Sequence, residues 1–297
     1  MTLSGTRPLD AARLRDRLRR SVAVALRDRV AGKDNAAKAA IIWDKPGERW
    51  FAEADPIWRV HADAAMFVAG IRALLLQSLH PLAMAGVAGH SGYKGDPWGR
   101  LQRTSTFLAT TTFGTIGDAE ALIERVRGIH QGVRGRAPDG RPYAASDPHL
   151  LRWVHVAEAD SFLQAYQRYA ATALTPAEAD RYVAQACLVA TRLGVIDPPT
   201  TVAGLNGAIE SYRPELESTP AAREAARFLL LHPPLPWSAR PGYGALAGAG
   251  VALLPPWARQ HLALPRLPLA DRAIALPLGG AATSVIRWAL QHPHEPH

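Results

Sequence analysis

Arg127, His130 and Arg134 carry the densest chemical signal in this chain of 297 residues. Their spacing is i, i+3, i+7, which on one continuous helix sets two guanidiniums and an imidazole along a single face. Two arginines flanking a histidine are costly against a dry core and reasonable against something anionic. Imidazole is an iron ligand, and guanidinium pairs well with carboxylates. A haem group meets both requirements, with iron for His130 and propionates for Arg127 and Arg134. Periodicity alone favours the plainer account, a solvated polar face. Ile123, Val126 and Val133 make the buried stripe in either case.

A second constellation is Arg100, Arg103 and Thr104, at i, i+3, i+4, directly after the glycine-rich run HSGYKGDPWG. A helix that starts after such a loop places its first turn at the wall of a pocket. Arginine and threonine there can donate hydrogen bonds to bound oxygen or to a propionate. The alternative is ordinary polarity at a helix start. His90 opens the loop and is either a group facing the iron or a cap for Asp96 or the backbone. His80 precedes Pro81 at a helix end, where it can bond free carbonyls. His61 reads as structural, and His155 as a satisfied core histidine beside Trp153. His292, His294 and His297 have no partner legible in sequence.

These residues need helices to position them. Leu14, Leu18, Val22 and Leu26 predict an amphipathic helix over 9–31. Asp55-Pro56 opens a helix through Met66, Ile71 and Leu75 to about Leu79, apolar nearly all round and therefore central. Pro81 interrupts it. Further helices are expected from Pro97 or Arg100 to Phe113, from Asp118 over 118–134, and from Asp147-Pro148 to about Tyr169. A capping box at Thr175–Glu178 starts one to Leu193, and 201–216 and 219–231 follow. Residues 135–145 read as a loop. β-branched alternation is nearly absent, so the fold class is all-α, a single globular multi-helix domain. Within it, 1–55 is expected to pack as a helix and loop on a helical core over 56–235. The Pro-rich apolar segment 236–297 belongs to the same domain.

Composition narrows the chemistry. The single cysteine, Cys187, rules out a disulfide framework and any cysteine-rich metal site. No CxxCH run exists for covalent haem attachment. The charge of +8 comes from scattered arginines, without the clusters that mark nucleic-acid binding. No signal peptide is legible, and the longest apolar runs are broken by Arg72, His80 or Pro255. A cytoplasmic protein is expected.

The stretches RALLLQSLHPLAMAGVAGHSGYKGDPWGRLQRT, GIHQGVRG and YAASDPHLLRWVHVAEADSFLQAY, in that order, resemble the rubber-oxygenase catalytic domain family, which includes latex clearing proteins and MpaB-type oxygenases. The resemblance is strongest over 56–170. It implies an all-α, globin-like helical core around a non-covalent haem b, and oxidative chemistry on an apolar substrate. It assigns His130 as the proximal iron ligand and places Arg100 and Thr104 in the pocket. The lysine that can cap iron in some members corresponds to Arg103, and arginine stays protonated and ligates poorly. The glutamate proposed as base in latex clearing proteins has no counterpart; Met84 or an apolar neighbour occupies that stretch.

The leading reading is therefore a haem-dependent oxidoreductase acting with dioxygen or peroxide on a small hydrophobic molecule. Its cofactor-binding residues would be His130, Arg127 and Arg134, and its catalytic residues Arg100, Arg103, Thr104 and His90. A haem sensor or carrier uses the same axial histidine. A di-iron bundle wants paired Glu-x-x-His motifs, which are missing from the helical core. A cofactor-free helical protein docking to a membrane through 243–256 is the remaining class. Peripheral membrane contact and a homodimer stay open as partners; nucleic acid does not.

Overall fold

The computed structural model describes residues 8–30, 32, 34–90 and 95–290. Residues 91–94 of the glycine-rich loop and the tail histidines His292, His294 and His297 lie outside that range. So do the side chains of Leu14 and Leu18.

The described residues fold as helices with one small hairpin. The order is α1 (Pro8–Val30), α2 (Asn35–Ala39), α3 (Pro56–Ala62), α4 (Met66–Gln77), α5 (Pro81–His90), α6 (Pro97–Phe113) and α7 (Ile116–Gly132). Strands β1 (Arg134–Arg136) and β2 (Pro142–Ala144) follow, then α8 (Pro148–Tyr169), α9 (Pro176–Leu193), α10 (Val202–Tyr212) and α11 (Pro220–Leu231). The described residues close with α12 (Arg240–Ala252), α13 (Pro256–His261), α14 (Pro268–Ala270) and α15 (Leu276–Leu290). Proline stands at the start of many of these helices, where its missing N–H costs nothing. Side-chain caps do the rest. Asp96 accepts from Gly99 N at 2.8 Å, Asp147 from His149 N at 2.9 Å, and Thr175 and Glu178 close a capping box.

The core is built on α4 against α8. Val68, Leu75, Leu76 and Leu79 meet Trp153, Val156, Phe162 and Leu163, all buried. Each such side chain contributes about 1.5–3 kcal/mol by leaving water. One ion pair sits inside this interface: Arg72, 2% exposed, reaches Asp160 at 2.7 Å, Ser161 Oγ at 2.6 Å and the Leu253 carbonyl at 3.0 Å. It ties α4, α8 and the end of α12 together. α12 packs closely on α4 and α15 because both contacts are made by glycine: a Cβ at Gly250 would lie 3.1 Å from Ile71, and one at Gly279 only 2.3 Å from Ala249.

Four expectations from sequence need correction. The long helix over 56–79 is two helices, α3 and α4, bent by 93° at Asp63–Ala65. The Asp63 carboxylate accepts from Ala65 N at 2.7 Å and so fixes the bend just ahead of the second piece. The loop over 135–145 is a hairpin, with Arg134 paired to Ala144 and Arg136 to Pro142. Helix α7 stops at Gly132, so Arg134 lies on β1 rather than one turn past His130. Glycine followed by β-branched Val133 is a weak helix continuation. Finally, one stretch, Pro268–Leu290, is long and apolar enough by composition to cross a membrane. Most of it is not buried, although α15 packs against α1 and α12. The segment 243–256 instead turns Leu246, Ala247, Ala249 and Leu254 into the core.

Candidate functional site

Helices α6 and α7 form an antiparallel hairpin around Gly114 and Thr115. A Cβ at Gly114 would meet the Thr110 carbonyl at 2.6 Å, so the turn requires glycine. Thr115 caps α7 by accepting from Asp118 N at 3.3 Å, and Lys45 clamps the Asp118 carboxylate at 2.7 Å. Helix α7 therefore starts at Ile116, two residues before the expected Asp118. Arg49 draws the preceding segment onto this turn, donating to the carbonyls of Phe113 at 2.8 Å and Trp43 at 3.0 Å. The closed end of the hairpin is thus well held. Its open end carries Arg100, Arg103 and Thr104 on α6 and Arg127 and His130 on α7.

His130 is half-buried, and its Nδ1 is buried without a hydrogen-bond partner. Burial pushes its pKa below the ordinary histidine value, so the ring is neutral and has a lone pair to offer. Arg127 is exposed and lies 3.7 Å from Glu124. Arg134 is exposed on β1 and donates from Nε to the Gln131 carbonyl at 3.2 Å, bonding the end of α7. On α6, Arg100 is half-buried and Thr104 exposed, while Arg103 pairs with Asp96 at 3.2 Å. Asp96 is thus held by Arg103 and by its own helix start, and His90 plays no capping role there. His90 lies exposed at the end of α5, its ring 6.1 Å from Tyr143 on β2. The hairpin links these pieces, since β1 carries Arg134 and β2 carries Tyr143.

Sequence reasoning missed an interior polar group between α3, α6, α8 and α9. His61 Nδ1 meets Thr112 Oγ1 at 2.8 Å, but its Nε2 is buried with no partner. Its ring packs edge-on against Phe162 and Tyr182. The hydroxyl of Tyr182 is buried and unpartnered as well. Burial lowers the pKa of His61 to about 4 and raises that of Tyr182, where the carboxylates Glu158 and Asp160 add to the rise. On α8, His155, Glu158 and Phe162 stand at i, i+3, i+7, one face of the helix. His155 is not the satisfied core histidine expected: its Nε2 is buried without a partner, and burial brings its pKa to about 4. Glu158 keeps some surface exposure, yet its carboxyl group lies deep enough that desolvation raises its pKa to about 7. Buried groups this poorly satisfied cluster where a protein handles a ligand. The α8 spacing was the only signal in sequence, and nothing there showed what the face opposes.

His80 also departs from expectation. It caps no carbonyl, and both its ring nitrogens are buried without a hydrogen bond.

No curated protein and no solved structure matches the chain. A family model does, over residues 58–288, from α3 through most of α15. It is described as the ER-bound oxygenase mpaB/B'/rubber oxygenase catalytic domain, and it takes in the α6–α7 hairpin, α8 and the interior polar group. The chain belongs to the mpaB and rubber oxygenase catalytic-domain family.

Proposed function

We propose that this chain is a haem b-dependent oxygenase, using dioxygen or peroxide on a small apolar substrate, with His130 as the proximal ligand. The observation that carries the proposal is the His130 ring, neutral and with a buried nitrogen that meets no partner, at the open end of a hairpin flanked by arginines. An imidazole in that condition fits an iron ligand. When bound, haem supplies the redox chemistry that activates oxygen.

The chain's own groups do the rest. Arg127 and Arg134 are the cations beside His130 available to propionate carboxylates. Both are exposed, so each can be redirected at little cost. Arg100 and Thr104, with His90 nearby in sequence, would supply hydrogen-bond donors to bound oxygen or peroxide. Arg103 stays charged, is engaged by Asp96, and does not compete as an iron ligand. Inside, Glu158 holds or releases a proton at its carboxyl oxygens near neutral pH, on the helix face it shares with His155 and close enough for its charge to act on Tyr182. It is the group here best tuned for proton transfer in a water-poor interior.

Absorbance in the Soret region of the purified, haem-reconstituted chain tests this reading. His130→Ala should abolish stable haem binding while far-ultraviolet circular dichroism stays helical. A normal haem spectrum in that variant overturns the assignment and moves attention to His90 or His80. Reversible oxygen or peroxide binding with no turnover of any apolar substrate would make the chain a haem sensor or carrier instead.

A further inference from the structure

We propose that His80, His149 and Glu215 form a site for one divalent transition-metal ion of the zinc type, on elements other than α6 and α7. His80 sits at the joint between α4 and α5, His149 in the first turn of α8, and Glu215 in the turn that follows α10. One ligand atom from each lies within 4.8 Å of the others. His149 Nε2 is 2.8 Å from Glu215 Oε2, and His80 Nε2 is 3.5 Å from the same oxygen. A tetrahedral zinc with bonds of about 2.0–2.1 Å separates its ligand atoms by about 3.3 Å. The three atoms are therefore close to ligating positions and need only small side-chain shifts.

The cluster has an unmet need that an ion answers. His80 is 2% exposed, and neither ring nitrogen has a hydrogen bond. Glu215 already bonds His149, and its Oε2 meets His80 Nε2 only at 3.5 Å, a longer and weaker contact than the 2.8 Å one to His149. A buried polar group left this way is costly, and a metal bound to its lone pair removes the cost. The ring is held for ligation by packing against the neighbouring rings of Trp153 and Tyr212, at 6.3 and 6.2 Å. The backbone bond from Glu217 N to the Leu79 carbonyl, 2.9 Å, pins the two segments together.

A supporting shell is present too. The Tyr212 hydroxyl donates to the His149 carbonyl at 2.8 Å and lies 3.4 Å from His149 Nδ1. That contact turns Nε2 of His149 toward Glu215, the orientation an outer-shell partner gives a metal-bound histidine. The charge of Arg141 close by is engaged by Asp139 at 2.6 Å and Glu217 at 3.4 Å. Two imidazoles and one carboxylate suit zinc and its first-row neighbours rather than calcium or magnesium. His149 and Glu215 are exposed, which leaves the outer side open for water as a fourth ligand.

Equilibrium dialysis of the full chain against buffered zinc, with bound metal counted by mass spectrometry, tests the proposal. His292, His294 and His297 are competing ligands, so a variant with all three changed to glutamine is measured in parallel. The site predicts one tight zinc per chain, retained in the tail variant, with or without haem. His149→Gln and Glu215→Gln, both at exposed positions, should each weaken binding more than about tenfold, and Tyr212→Phe by about tenfold. His80→Ala opens the core and is not needed. Tight zinc unaffected by His149→Gln and Glu215→Gln, or lost with the tail histidines, overturns the proposal; so does the lack of any tight zinc in the folded parent chain. A chain that binds zinc in this way but no haem would refute only the oxygenase reading.

Discussion

Arg287 on α15 holds Asp63 with two hydrogen bonds, Nε to Oδ2 at 3.0 Å and Nη2 to Oδ1 at 2.8 Å, and so fastens the last described helix to the bend between α3 and α4. Arg287 also donates to the Tyr169 carbonyl at 2.9 Å, where α8 ends. The two partners keep 23% and 15% of their side-chain surface. Three remote segments therefore meet at one partly buried, two-pronged ion pair, the arrangement in which such pairs are strongest.

Asp63→Ala is accordingly expected to destabilise the chain by about 2–4 kcal/mol, since it removes a charge partner and the hydrogen bond that fixes the bend together. Arg287→Met should cost less, because Asp63 retains the Ala65 amide. Urea unfolding of both single variants and the double variant measures the coupling. Costs that simply add would show that the two side chains do not act on one another.

The second expectation concerns pH. Glu158 has a folded pKa of about 7 against 4.5 for an ordinary glutamate, so between those values the folded chain binds more protons than the unfolded one. Stability then falls as pH rises through that window and levels off above it. His61 and His155 act oppositely. Their pKa values drop to about 4, so their contribution is complete above about pH 6.5 and is lost as pH falls toward 4. Comparing Glu158→Gln with the parent isolates the carboxyl group. The variant should gain on the parent as pH rises from about 4.5 to 7, by about 1–3 kcal/mol in all, reduced from the full shift because the side chain is partly exposed. A difference that does not vary with pH would mean that Glu158 is well solvated.

Much of the helical frame is legible in the sequence, for identifiable reasons. Asp147-Pro148 and Thr175-Pro176-Ala-Glu carry a cap and a fixed φ at neighbouring positions, and α8 and α9 start there. The bend at Asp63 was hidden because apolar residues continue on both sides of it, and the Arg287 that stabilises it is remote in sequence. The β1–β2 hairpin was hidden because its first strand is exposed throughout and has no alternation to read. The candidate site divides the same way. His130 and its arginines stand close together in sequence, whereas His149 and Glu215 are 66 residues apart and only the fold brings them together. Local spacing also misled: i, i+7 puts Arg134 on the helix only if the helix lasts, and it stops at Gly132.

That last correction changes what Arg134 is expected to contribute to haem binding. On a continuous, partly buried helix face, each arginine–propionate pair would be worth about 1–3 kcal/mol. Arg127 keeps 47% of its side-chain surface, and Arg134 is exposed at the edge of the hairpin, so solvent screening cuts this to about 1 kcal/mol or less. Replacing either with leucine should therefore speed haem loss by no more than about fivefold, and the His130 ligation spectrum should persist. Arg134→Leu also removes the bonds to the Gln131 carbonyl at the end of α7, which Arg127→Leu does not. Lysine at 134 separates the two effects, because it keeps the charge without the two-pronged hydrogen bond. Haem transfer to excess apomyoglobin, followed at the Soret band, gives the rates. Loss as fast in Arg134→Lys as in Arg134→Leu would point to the helix end rather than the propionate. Rates equal to the parent in Arg127→Leu, Arg134→Leu and the double variant would remove both arginines from the site.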